Sequence, residues 1–211
     1  MPRPFHIIFS VVAALLGVLV VGLPAAPPQE TGANAVKKKQ IVSTQKPAAA
    51  LISKQDPPKL TPRVLDQITP DNAFILISLS KQRAWLMLQN EIAVDSQVST
   101  GKKARQTPPG KFKITQKNKD HRSNLYGSFV DKKGRTVRSG VSSRIDSAPS
   151  GTRFVGSPML YFQRLTNDGI GLHVGVLPGY PASHGCIRLP DEIARIFFEK
   201  TKLGTRVEIV N

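Results

Sequence analysis

The chain has 211 residues, with 30 Lys and Arg against 14 Asp and Glu, for a formal charge of +16. That length holds one domain of ordinary size plus further segments, and the single cysteine, Cys186, excludes an internal disulfide. The charge favours an anionic partner such as an anionic cell envelope; with no helix-turn-helix pattern and no basic–aromatic single-strand motif, nucleic acid is not an expected partner.

In chain order, Arg3 and His6 precede residues 7–23, an uncharged apolar run. A basic start followed by such a run is an export signal. It is slightly short of the ~20 residues that a comfortable membrane span needs. Residues 1–23 are therefore read as a signal peptide or as a signal anchor in the inner membrane, which places the protein in the periplasm or cell envelope. Residues 24–70 hold eight prolines, the Lys37-Lys38-Lys39 run and the Ala48-Ala49-Ala50 tract. Apolar residues there lack a sustained period, so the segment reads as a flexible, semi-extended linker. Residues 60–68 have room for one short helical turn. The folded body is expected over residues 71–211.

From Asp71 the pattern becomes short β-like runs. Residues 73–79, 83–88 and 92–98 read as strands, and Gln89-Asn90-Glu91 suits a tight hairpin. Thr107-Pro108-Pro109-Gly110 is a turn. Residues 111–115 alternate charged and apolar side chains, as a half-exposed strand does. Further strands are expected at 159–162, 170–174 and 205–210. One helix is expected: Pro190-Asp191-Glu192 supplies a first-turn proline and acids. Ile193, Ile196, Phe197 and Lys200 then follow at helical spacing, and Gly204 ends the run. The fold class is mainly β, a domain of ~140 residues with a short helix near its C-terminus and enough length for one core. Residues 117–157 are rich in Lys, Arg, Ser and Gly with few apolar anchors. They read as a functional loop or lid, or equally as a surface insertion containing some hairpin.

The chemistry concentrates in Ser183-His184-Gly185-Cys186-Ile187-Arg188. A free thiol with a pKa near ~8.5 is only a few per cent thiolate at neutral pH, so a nucleophilic cysteine needs a base or a positive charge. His173 ends one predicted strand, and the loop 174–182, with two prolines and two glycines, brings the chain back so that His173 can stand beside Cys186. His184 shares a face with Cys186 if the segment is extended and diverges if it is a turn. Gly185 leaves room next to the sulfur and frees backbone N–H groups for an oxyanion hole. Together these are the parts of an acyl-transfer site. Two other readings stand beside it: a small buried hydrophobe, and a zinc site from the His-x₁₀-His-x-Cys spacing.

Gly169-Ile170-Gly171-Leu172-His173, followed by Ser183-His184-Gly185-Cys186-Ile187-Arg188-Leu189, resembles the signature of the L,D-transpeptidase (YkuD) family. Upstream, residues 77–86 (ISLSKQRAWL) resemble the family's opening strand pair. Val98-Ser99-Thr100-Gly101 and Thr107-Pro108-Pro109-Gly110-Lys111-Phe112 resemble its next conserved segment. The resemblance covers about residues 73–210. It implies a YkuD-like β-sandwich with the cysteine on a loop beside a cleft, working without cofactor or metal. It implies that Cys186 attacks the carbonyl joining a dibasic residue to D-Ala in a peptidoglycan stem tetrapeptide. D-Ala leaves, and the thioester passes to an amine on another stem or on an envelope protein. His173 matches the proton donor and acceptor. His184, Gly185 and Ser183 match the site-shaping and oxyanion positions, and Arg188 matches a position that orients the loop or meets a substrate carboxylate. Two departures stand out: the stretch from His173 to Ser183 is short, and Val174 follows His173 where Gly or Ser is common. The same site with water as acceptor would make an L,D-carboxypeptidase or an amidase. A silent site would make a non-catalytic wall-binding module.

Overall fold

A computed structural model describes residues 55–211. The predicted export segment and most of the predicted linker lie outside the described residues. Among those described, no helix is long and apolar enough to cross a membrane.

The chain runs through β1 (Lys59–Leu60), α1 (Pro62–Leu65), β2 (Ala73–Ser78), β3 (Arg83–Leu88), β4 (Glu91–Gln97), β5 (Gly110–Lys113), β6 (Gln116–Asn118) and β7 (Arg122–Val130). It continues through β8 (Thr136–Ser142), β9 (Arg153–Pro158), β10 (Phe162–Arg164), β11 (Gly171–Val174), β12 (Ile187–Leu189), α2 (Asp191–Glu199) and β13 (Arg206–Val210). Three sheets result, in the orders β1-β4-β3-β2-β13-β5, β12-β11-β10-β6 and β8-β7-β9.

The first two sheets share one core, which is what makes the body a sandwich. Ile75, Ile77, Leu86, Val94, Val207 and Ile209 of the first sheet join Leu172, Ile187 and Leu189 of the second in a single buried cluster with Ile193, Ala194 and Phe197 of α2. Alternation explains the choice of side chains: successive residues of a strand point to opposite faces, so β2 buries Ile75 and Ile77 and β13 buries Val207 and Ile209. Helix α2 lays Ile193 and Phe197, four residues apart and so on one face, into the same core. The Lys117 ammonium of β6 donates to Phe198 O and Thr201 O, closing the carbonyl end of α2.

Three features differ from the sequence reading. The folded body begins before Asp71. Leu60 and Lys59 pair with β4, and α1, the helical turn anticipated within 60–68, is held down by Val64 and Ile68, 1% and 2% exposed. The tail of the proposed linker therefore folds because those two apolar side chains have a core to enter. The strand expected at 159–162 is displaced: β9 ends at Pro158 and β10 starts at Phe162, with Tyr161 at φ 56 turning the chain between them. Pro190 is the N-cap of α2, one position earlier than its expected first-turn place.

The segment 117–157 is neither plain loop nor simple hairpin. It forms most of the third sheet, with a small apolar centre of its own at Phe129, Val130 and Val141. Phe129 and Phe154 meet edge to face at 6.2 Å. The outer strand β8 is exposed over its first five residues, which is why its sequence carries so few apolar anchors.

Candidate active site

The second sheet positions the site. Its register pairs Gln163 with Leu172 and Arg164 with Gly171 across β10 and β11, and Leu172 with Ile187 and His173 with Arg188 across β11 and β12. Paired residues share a face, and alternate residues along a strand share it too. Gln163, Leu172 and Ile187 form one row, all 0% exposed and facing the core. The opposite face carries Arg164 and Phe162 from β10, Gly171 and His173 from β11, and Arg188 from β12. Continuing the register by one residue puts Cys186, immediately before β12, in the row of Arg164 and Gly171. Strand pairing thus brings the thiol to the outer face, one row from the imidazole. The loop 174–182 makes that pairing parallel.

His173 is 8% exposed. Its Nδ1–H donates to Val174 O at 2.6 Å. A carbonyl only accepts, so the proton sits on Nδ1 and Nε2 carries the free lone pair. Val174 therefore supplies the orienting carbonyl although its side chain is not the small one common at that position. Burial pushes the His173 pKa down to about 4, with Arg188 and His121 adding to the fall and the Val174 carbonyl opposing it. At neutral pH the ring is an unprotonated base.

Cys186 is half-buried. Its Sγ–H faces Gly169 O at 3.6 Å. Burial pushes the thiol pKa up, while the Gly171 backbone N–H and the Arg188 and Arg164 charges pull it down. The resting pair is thus a thiol and an unprotonated imidazole.

Ser183, His184 and Gly185 form the bend before the cysteine. Ser183, 2% exposed, donates from Oγ to Cys186 O at 2.5 Å and accepts from the Gly185 N–H at 3.0 Å. That bond occupies the Gly185 N–H, so in this state Gly185 is not the free oxyanion donor the sequence suggests. Gly185 has φ +122, a conformation that side-chain-bearing residues rarely adopt, and Ile170 already lies 3.4 Å from where a Cβ would sit. His184 diverges from Cys186: it is exposed and stacks on Tyr126 of β7, ring centres 4.2 Å apart. Burial lowers its pKa, followed by Lys102, Arg105 and Arg188. The third sheet thereby touches the cysteine bend. Arg188 lays its stem against Gly175 and its Nη1 donates to Val176 O at 3.4 Å.

Several positioning residues escape a reading of the sequence. Thr107, 1% exposed, accepts from the Gly101 N–H at 2.9 Å and donates to Gly185 O at 2.7 Å, bolting the Thr107-Pro108-Pro109-Gly110 turn to the cysteine bend. Gln82 donates to Thr100 Oγ1 at 2.7 Å and accepts from the Thr100 N–H at 3.0 Å. Ser99 exchanges backbone bonds with Arg188 and donates from Oγ to Tyr180 O at 2.8 Å. Their segments carry the family likeness, but, Gly101 apart, their partners lie between 18 residues (Gln82 to Thr100) and 81 residues (Ser99 to Tyr180) or more away, so sequence spacing gives no sign of the contacts. His121, stacked on Phe162 at 4.3 Å, carries no local motif at all.

Among the described residues no three His, Cys, Asp or Glu side chains gather as a metal would require, so His173, His184 and Cys186 do not make up a zinc ligand set.

The fold and site define a mainly β protein with a thiol and an oriented imidazole on the same outer face of a sheet. The L,D-transpeptidase catalytic domain (YkuD) family model matches residues 72–209, and the chain belongs to that family. No match was found among curated proteins. Similar solved structures include L,D-transpeptidase 1 of Mycobacterium tuberculosis, at 21% identity and TM-score 0.47, over 67% of this chain and 60% of that one. An L,D-transpeptidase of Mycobacterium smegmatis matches at 18% and 0.49, over 66% and 59%. One from Stackebrandtia nassauensis matches at 20% and 0.48, over 78% and 64%. The chain thus spans about three fifths of the length of these proteins.

Proposed function

We propose that the chain is a peptidoglycan L,D-transpeptidase that works as a cysteine acyltransferase. The observation that carries the reading is Cys186 on the same sheet face as His173, whose Nδ1–H is tied to Val174 O. Nε2 takes the thiol proton as sulfur attacks the stem-peptide carbonyl. The C–N bond to D-Ala breaks, the proton passes from Nε2 to the leaving amine, and a thioester remains on Cys186. An acceptor amine, deprotonated by the same Nε2, then attacks the thioester, and the thiolate leaves and regains a proton. The backbone N–H groups of Cys186 and His184, which Ser183 Oγ does not occupy, stabilise the oxyanion, with Ser183 and Thr107 holding the bend in shape. The apolar run at 7–23 supports an exported or anchored enzyme, and the prolines of 24–58 support a spacer that lets it reach the wall.

Mass spectrometry of muropeptides after incubation with the protein tests this. Crosslinks between third-position residues are the expected result. Trimmed tripeptides without crosslinks would select the hydrolase reading, and unchanged muropeptides would select a non-catalytic wall-binding module.

A further inference from the structure

The row that contains Cys186 ends in Arg164, a residue outside every motif of the chain. Arg164 and Cys186 flank β11 on one face, and the residue between them is Gly171, which has no side chain to separate them. No larger residue fits there: a Cβ on Gly171 would lie 2.4 Å from Gln163 O and 2.6 Å from Phe162 Cε2. The Arg164 guanidinium is fixed from two sides. Its Nε donates to Gln116 Oε1 at 2.7 Å, and its carbon sits 5.3 Å over the Phe162 ring. Nη1 approaches Gly169, the residue whose carbonyl faces the thiol. Yet among the described residues no carboxylate lies within ion-pair distance of Arg164. A pre-oriented guanidinium whose one hydrogen-bonding partner among the described residues is a neutral amide keeps its fork for a planar anion.

Resting on the reading of Cys186 as acyl nucleophile, we propose that Arg164 binds the terminal carboxylate of the donor peptide's leaving residue. That carboxylate is two bonds from the scissile nitrogen, so any donor cut at its penultimate carbonyl presents it close to the sulfur. Arg188 stands two residues after Cys186, paired with His173, and its guanidinium is turned toward the 174–182 loop, where Nη1 donates to Val176 O. The site therefore selects peptides that end one residue past the scissile bond and carry a free carboxylate there. This makes it an enzyme for chain ends.

The test compares acylation rates of the full-length protein by a stem tetrapeptide acid and by the same peptide as its terminal carboxamide, followed by intact mass. In the wild type the acid is expected to react about 10-fold faster or more, the worth of a charge-assisted bond. In Arg164→Gln that ratio should collapse toward one, and in Arg164→Lys, which keeps the charge without the fork, it should be intermediate. Because the readout is a ratio within each protein, general damage to folding cancels. An unchanged ratio in Arg164→Gln overturns the assignment, as does a wild type that makes no distinction between acid and amide, and either leaves the nucleophile standing. A wild type that forms no adduct with either donor overturns the assignment together with the functional reading beneath it.

Discussion

His173 shows how one buried side chain links chemistry to stability. Its folded pKa of about 4 lies below its ordinary value of 6.5. Between those values the unfolded chain binds the proton and the folded one does not, so stability is complete above pH 6.5 and falls as pH drops toward 4. The loss integrates to about 3 kcal/mol at ~1.4 kcal/mol per pH unit. His173→Ala is expected to lower turnover by ~10²-fold or more, as for removal of a general base. It should also flatten the fall in melting temperature between pH 6.5 and 4. Turnover assays and thermal melts across that range check both, and an unaltered rate would remove His173 from the mechanism.

At the scale of elements, the cysteine bend is held by hydrogen bonds from distant strands and turns. Thr107 is the clearest case, because its hydroxyl satisfies a buried N–H and a buried carbonyl together. Thr107→Val keeps the volume and removes both bonds. Leaving such groups unpaired costs about 1–3 kcal/mol each. The expected outcome is a lower melting temperature together with slower alkylation of the Cys186 thiol, measured by denaturation and by the rate of reaction with an alkylating probe. A variant of normal stability and rate would show that the bend holds itself. The second sheet explains what was legible in the chain and what was not. His173, Gly185 and Cys186 stand out because their residue types and short spacing carry the chemistry locally. Arg164, Thr107 and Gln82 do not, because their roles exist only once strands far apart in sequence are in register. Likewise, Arg83–Leu88 is evident from its apolar content, whereas β8 exposes most of its residues and gives the periodicity little to report.

For the whole molecule, two sheets and α2 enclose one core, and the site occupies the outer face of the smaller sheet, where the third sheet reaches it through Tyr126 and His184. The strands β2, β3 and β13 could be read from their apolar and β-branched runs, and the sandwich from the family resemblance. The third sheet could not, since its apolar centre is small and its strands are long, polar and basic. The positive charge of the chain agrees with a partner that is anionic overall and with a donor that ends in a carboxylate. Acylation of Cys186 forms a single covalent bond. Intact-mass spectrometry of the protein after incubation with a stem tetrapeptide measures it directly. One tripeptidyl group is expected on the wild type, placed on Cys186 by peptide mapping, with one D-Ala released and no adduct on Cys186→Ala. An adduct that survives in Cys186→Ala, or a wild type that releases D-Ala while its mass never changes even under rapid quench, would contradict it.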